Sequence, residues 1–288
     1  MTTLLSPAGY KEVTLSQGSV RYYEEGSGPT LVFIHGVFIN SVLWRNVIPR
    51  LTLRFRCIAP DLPLGAHSVP MRADANLSPG GLAQLLADFL AALNLQDVTL
   101  VGNDTGGAIC QLTIAAHPER ITRLVLTNCD AFENFFPPLF SFLHYGPYFF
   151  GEGFTRLLAG VLRSRIAQRA LVATVAYHRM EDHVLDAAFD PFLHNKGVQH
   201  DVTKVLQGIS NRYTLEASRA FASFHHPVLI VWGKNDPFFT ARFANRLQQA
   251  FPDARLESVP HSRAFVPEDQ PELLAQRILE FVNEPVHS

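Results

Sequence analysis

Leu100-Val101-Gly102-Asn103-Asp104-Thr105-Gly106-Gly107 is the stretch on which the fold turns. The mostly apolar residues 98–101 read as a buried strand, and a helical pattern follows over 108–116. Between them lies a glycine-bracketed turn, Gly102-x-Asp104-x-Gly106. Strand, sharp turn and helix in that order match the spacing of a nucleophile elbow, with aspartate in place of serine. The glycines leave room where the central residue takes a strained backbone, and the strain pushes its side chain out over the sheet. The plainer alternative is a tight strand–helix turn whose aspartate caps the helix.

Working outward, residues 13–15 and 20–23 alternate around Gln17-Gly18, as an antiparallel hairpin at a sheet edge does. The apolar run 31–34 reads as a central strand buried on both faces and ends in His35-Gly36. A helix is expected over 42–51, a strand over 55–59, and a helix over 79–93 with apolar residues at helical spacing. Another buried-type strand covers 121–126. The alternation then stops: 130–217 holds helical patterns and an aromatic crowd running from Phe132 to Phe154. It resumes with a strand at 228–232, a helix near 242–251, a strand at 255–259 and a last helix over 271–282. Such alternation implies a mostly parallel sheet of about eight strands with helices on both faces. The division expected is a core of residues 1–130 and 218–288, with a helical lid, 131–217, inserted after strand 6 at the carboxyl ends of the strands, where such sheets bind ligands.

With 47% hydrophobic and 17% charged residues in 288, the chain reads as a soluble globular protein with a sizeable core. The net charge of −2 and the lack of a Lys/Arg block argue against nucleic acid and anionic membranes as partners. Cys57, Cys110 and Cys129 are odd in number and lack ligand spacing, so they read as reduced thiols, which with the absence of a signal-like start suggests a cytoplasmic protein. The histidines lack metal spacing, so neither a metal nor a cofactor is expected. The aromatic crowd suggests an apolar chamber for a small apolar substrate.

Over nearly its whole length the sequence resembles the α/β-hydrolase fold, close to the haloalkane dehalogenase and epoxide hydrolase branch. The residues that carry the resemblance are Gly28-Pro-x-Leu-Val-Phe-Ile-His-Gly36, Leu43-Trp-Arg-Asn-Val-Ile-Pro49, Ala59-Pro-Asp-Leu62, the Asp-type elbow, and Trp232-Gly-Lys-Asn-Asp236. Three departures stand out. Dehalogenases of this group place a halide-gripping Asn just after His-Gly, where Val37 stands, and a Trp after the nucleophile, where Thr105 stands. Epoxide hydrolases use two lid tyrosines, for which Tyr145, Tyr148, Tyr177 and Tyr213 are available. The catalytic His normally precedes a segment like Phe265-Val-Pro-Glu268, and here Ala264 stands there, with His261 three residues earlier.

A carboxylate with an ordinary pKa of ~3.9 is ionised near neutrality. Asp104 is therefore expected to attack an sp3 carbon without a base and form an ester. Hydrolysing that ester needs a base and oxyanion donors. The resemblance assigns the donors to the backbone N–H groups of Val37 and Thr105. His261 and His67 are the candidate bases. Asp236, at the family position in Gly233-x-x-Asp236, is preferred as the orienting acid, with Asp130 as the alternative. A non-hydrolytic enzyme (lyase, isomerase or cyclase) and a ligand-binding protein without a complete triad remain as rivals. His35 reads as a structural residue beneath the oxyanion turn.

Overall fold

The structure, a computed structural model, describes residues 4–284. Eight strands form one sheet: β1 (Tyr10–Leu15), β2 (Gly18–Glu25), β3 (Thr30–Ile34), β4 (Arg56–Pro60), β5 (Val98–Asp104), β6 (Ile121–Cys129), β7 (Val228–Gly233) and β8 (Ala254–Val259). Their spatial order is β1-β2-β4-β3-β5-β6-β7-β8. β2 pairs antiparallel with both β1 and β4, and every other neighbouring pair is parallel. The apolar runs became the interior strands: Leu31, Val32, Phe33 and Ile34 are fully buried, as are Leu229, Ile230 and Val231. Each such side chain contributes about 1.5–3 kcal/mol by leaving water.

Four helices flank the sheet: α1 (Pro79–Ala92), α2 (Thr105–Ala116), and, beyond β7, α9 (Ala241–Ala250) and α11 (Pro271–Asn283). Ser78 caps α1, its hydroxyl accepting from Gly81 N at 3.2 Å. Between β6 and β7 the chain inserts α3 (Ser141–Phe150), α4 (Glu152–Leu162), α5 (Arg165–Val175), α6 (Asp182–His194), α7 (Lys196–Gly208) and α8 (Asn211–Ser218). Asn40 stitches this insertion to the core, its amide donating to Ala66 O and Ala187 O, both at 3.0 Å.

One local expectation fails. Residues 42–51 do not form an α-helix but two 3₁₀ turns, Ser41–Trp44 and Ile48–Arg50. Pro49 supplies no N–H and disfavours helical backbone at Ile48 before it, while Asn40 starts the first turn by accepting from Val42 N at 3.1 Å. The turns also seat Arg45, whose guanidinium is buried and forks onto Glu268 at 2.6 and 2.8 Å. Glu268 belongs to a short helix, α10 (Val266–Asp269), which the sequence pattern did not suggest.

Candidate active site

β5 passes directly into α2 at Asp104, whose φ of 56° and ψ of −134° lie where few non-glycine residues go. Such backbone costs on the order of 1–3 kcal/mol and persists only when its surroundings fix it. They do. A Cβ at Gly106 would lie 2.3 Å from His35 O, and one at Gly36 would lie 2.6 Å from Asp104 Cβ. The elbow and the turn after β3 therefore interlock, and a register shift between β5 and β6 falls between Gly102 and Asp104. His35 steadies the second turn: fully buried, it accepts from Leu62 N at 2.9 Å through Nε2 and donates from Nδ1 to Gly36 O at 2.8 Å. Burial pushes its pKa down to about 4, which suits a neutral, structural imidazole.

Asp104 opens into a cavity between the sheet and the insertion. The cavity has a volume of about 70 Å³ and is open towards solvent. Its walls include Val37, Phe136, Leu143, Phe189, Phe238 and Phe265, and Asp104 is the one lining residue with an ionisable side chain. The carboxylate does not cap α2 in the ordinary way, where the second or third N–H is reached. Its Oδ1 accepts from the first, Thr105 N, at 2.5 Å, and from Thr105 Oγ1 at 3.1 Å. Burial raises its pKa to about 6, opposed by those two donors and reinforced by the nearby Asp236 charge.

Two further carboxyl groups stand close by. Asp236 follows β7; its Oδ1 accepts from Phe238 N at 2.8 Å and Phe239 N at 3.1 Å, and its Oδ2 from Asn128 Nδ2 at 2.9 Å. Burial raises its pKa to about 6 as well. Asp130 follows β6, is fully buried, and its Oδ2 meets the Thr105 hydroxyl at 3.1 Å. Burial and the Asp104 charge push its pKa well up. Asp104, Asp130 and Asp236 thus gather at the carboxyl ends of three adjacent strands. Among the described residues, no group of three His, Cys, Asp or Glu is arranged to hold a metal ion.

The histidines lie elsewhere. His261 has an exposed side chain and a positive φ of 53°, its ring lies 5.7 Å from that of Tyr177, and it does not line the cavity. Ala264 is buried, and its carbonyl accepts from Asn103 Nδ2 at 2.6 Å. His67, the other candidate base, is buried in the loop after β4, with Nε2 3.1 Å from Asp201 Oδ2 on α7. That pair joins the loop after β4 to the insertion. Nor do the tyrosines gather over Asp104: Tyr145, Tyr148 and Tyr177 are exposed, and none of the four lines the cavity. The pattern gave no notice of Asn103, Gln111 or Asp201, single polar residues inside apolar or helical runs.

A family model of the alpha/beta hydrolase fold matches residues 29–271, and the chain belongs to that family. Haloalkane dehalogenase 2 of Mycobacterium tuberculosis is 27% identical over 277 residues, covering 92% of each chain. Among solved structures, an alpha/beta hydrolase fold protein from Burkholderia ambifaria superposes with a TM-score of 0.84 at 24% identity, over 97% of this chain and 100% of that one. The epoxide hydrolase CorEH gives 0.81 at 19% identity, over 94% and 97%. Among the described residues, no helix is long and apolar enough to cross a membrane.

Proposed function

We propose that the protein is a cofactor-independent hydrolase of small apolar substrates in which Asp104 is the nucleophile. The observation that carries this reading is the placement of one ionisable side chain, on strained backbone, in an otherwise apolar cavity wall. The helical insertion acts as the lid. In the first step a carboxylate oxygen of Asp104 bonds to an sp3 carbon, and the leaving group departs with the electron pair. Water then adds to Asp104 Cγ, the charge gathers on Oδ1, held by Thr105 N–H and, as the resemblance implies, by Val37 N–H, and collapse releases the alcohol.

The proton of that water needs an acceptor. His261 and His67 are both turned to other partners, so we assign the role to Asp236, whose charge reaches Asp104, which is ionised above about pH 6, and which acts through a bridging water because it does not itself line the cavity. A carboxylate is a weaker base than imidazole, so the second step is the slow one. The cavity wall offers no Asn, Trp or Tyr to a leaving halide or epoxide oxygen, and the substrate class follows from that: small, apolar electrophiles whose leaving group needs little help.

Intact-protein mass spectrometry tests the reading with two probes that carry an electrophilic sp3 carbon, a short bromoalkane and an aliphatic epoxide. The expected result is a covalent adduct on Asp104, formed faster than it is released and absent in Asp104→Asn. No adduct and no turnover above buffer with any probe would contradict it. The raised pKa of Asp104 favours a second reading, in which it shuttles a proton as a lyase or isomerase. Deuterium uptake into a substrate without any adduct would select that reading.

A further inference from the structure

Thr105 Oγ1 lies 3.1 Å from Asp104 Oδ1 and 3.1 Å from Asp130 Oδ2. A hydroxyl carries one proton and can donate it once. If both carboxyl groups were ionised, one would face the hydroxyl oxygen lone pair to lone pair inside a buried site. Both contacts are satisfied only when one of the two acids holds a proton and donates it to Thr105.

Which acid holds it follows from their other partners. Asp104 Oδ1 also receives Thr105 N–H at 2.5 Å and faces a cavity that reaches solvent. Asp130 is fully buried, its Oδ1 has no hydrogen-bond partner, and the charges around it are those of Asp104 and Asp236. Its other neighbours, Gln111, which donates to the Asp130 carbonyl at 2.9 Å, and the buried thiol of Cys129, bring no positive charge. An anion at Asp130 would be desolvated and unpaired, which is far costlier than an anion at Asp104.

We propose that Asp130 is a positioning residue held as a neutral acid, donating to Thr105 Oγ1 and so turning the Thr105 hydroxyl towards Asp104 Oδ1. The oxyanion site then has a side-chain donor beside its backbone donors, aimed by a proton that never leaves Asp130. The raised pKa of Asp130 agrees with this arrangement. The relay runs from the Asp130 acid to Thr105 Oγ1 and from the Thr105 hydroxyl to Asp104 Oδ1, a part threonine can take and an indole cannot, since an indole has no acceptor for the Asp130 proton.

This inference rests on Asp104 as the reacting carboxylate, but its test reads proton positions in the protein alone and needs no substrate. Carbon-13 NMR of aspartate-labelled protein, titrated from pH 4 to 9, follows each carboxyl, with Asp104→Asn assigning the Asp104 signal. One aspartate is expected to stay neutral to at least pH 8 and to vanish in Asp130→Asn. Thr105→Val should raise the Asp104 midpoint by about one pH unit, the worth of one lost hydrogen bond, while Thr105→Ser leaves it in place. Asp130→Asn, whose amide donates to Thr105 as the acid does, should leave the Asp104 midpoint within about 0.3 unit, since no charge is removed.

A fall of a unit or more in Asp130→Asn would mean that Asp130 was an anion, and would overturn the proposal. So would an unchanged midpoint in Thr105→Val. Should the variants fail to fold, the unmodified protein decides: every aspartate ionised by pH 8 refutes the neutral acid.

Discussion

Two buried charged regions of this molecule are built on opposite terms. At Arg45 and Glu268 a guanidinium and a carboxylate meet through a two-pronged contact at 2.6 and 2.8 Å, with side chains 1% and 7% exposed. At the elbow, three carboxyl groups gather without an ion pair, and Arg263 eases the charge of Asp236 only weakly. The first region holds the turns after β3 against α10, and its charges answer one another. The second leaves its charges unanswered next to an apolar cavity and adds strained backbone at Asp104. A fold that pairs its buried charges where they serve structure and withholds a partner at one place has kept that place reactive.

The contrast breaks most visibly through activity. Replacing Asp104 with Asn is expected to abolish turnover and adduct formation with the probes above, by at least about a thousandfold, because the amide is no nucleophile. Next in size is the structural pair. Glu268→Ala leaves Arg45 buried and unpaired and should destabilise the fold by about 3–5 kcal/mol in urea unfolding. If it costs under about 1 kcal/mol, the pair is not buried in solution and the comparison loses its first half.

Asp104→Asn should act on stability in the other direction. The Asp104 pKa is raised to about 6 in the folded chain, against an ordinary value of ~3.9. Between those values the native chain binds more protons than the unfolded one, so this group's contribution to stability falls as pH rises through the window. The variant is therefore expected to match the parent near pH 4 and to exceed it by about 2–3 kcal/mol above pH 7. A stability difference that does not change with pH would mean that Asp104 titrates normally. The smallest effect belongs to His261→Ala. The side chain is exposed against Tyr177, so stability should move by less than about 0.5 kcal/mol, and adduct formation and release should stay as they are. A hundredfold slower release would restore His261 as the base.

The sheet was legible because its strands are apolar runs, and the elbow because glycines at 102 and 106 are demanded by carbonyls and side chains that approach within 3 Å. Ala264 was legible too, through the register of the segment that follows it. Residues 42–51 misled because hydrophobic spacing alone does not register Pro49 and the Asn40 turn. The roles of His67 and Asp201 were hidden, since a lone histidine in a loop and a lone aspartate in a helix reveal a contact 134 positions apart only once the chain is folded. The Asp130–Thr105 contact was hidden for the same reason: strand pairing sets it, through the shift that brings Asp104 opposite Cys129. Which aromatic residues face the cavity depends on the packing of six helices, and spacing within any one of them does not settle it.

The central assertion is that the Asp104 carboxylate itself bonds to substrate. A single-turnover reaction in water enriched in oxygen-18, followed by peptide mass spectrometry, addresses it directly with whichever probe forms product. Heavy oxygen is predicted in the peptide containing Asp104, because water attacks Cγ and leaves one of its atoms in the regenerated carboxylate. Heavy oxygen found in the product alone, with that peptide unlabelled, would mean that water attacked the substrate and that Asp104 never formed the ester.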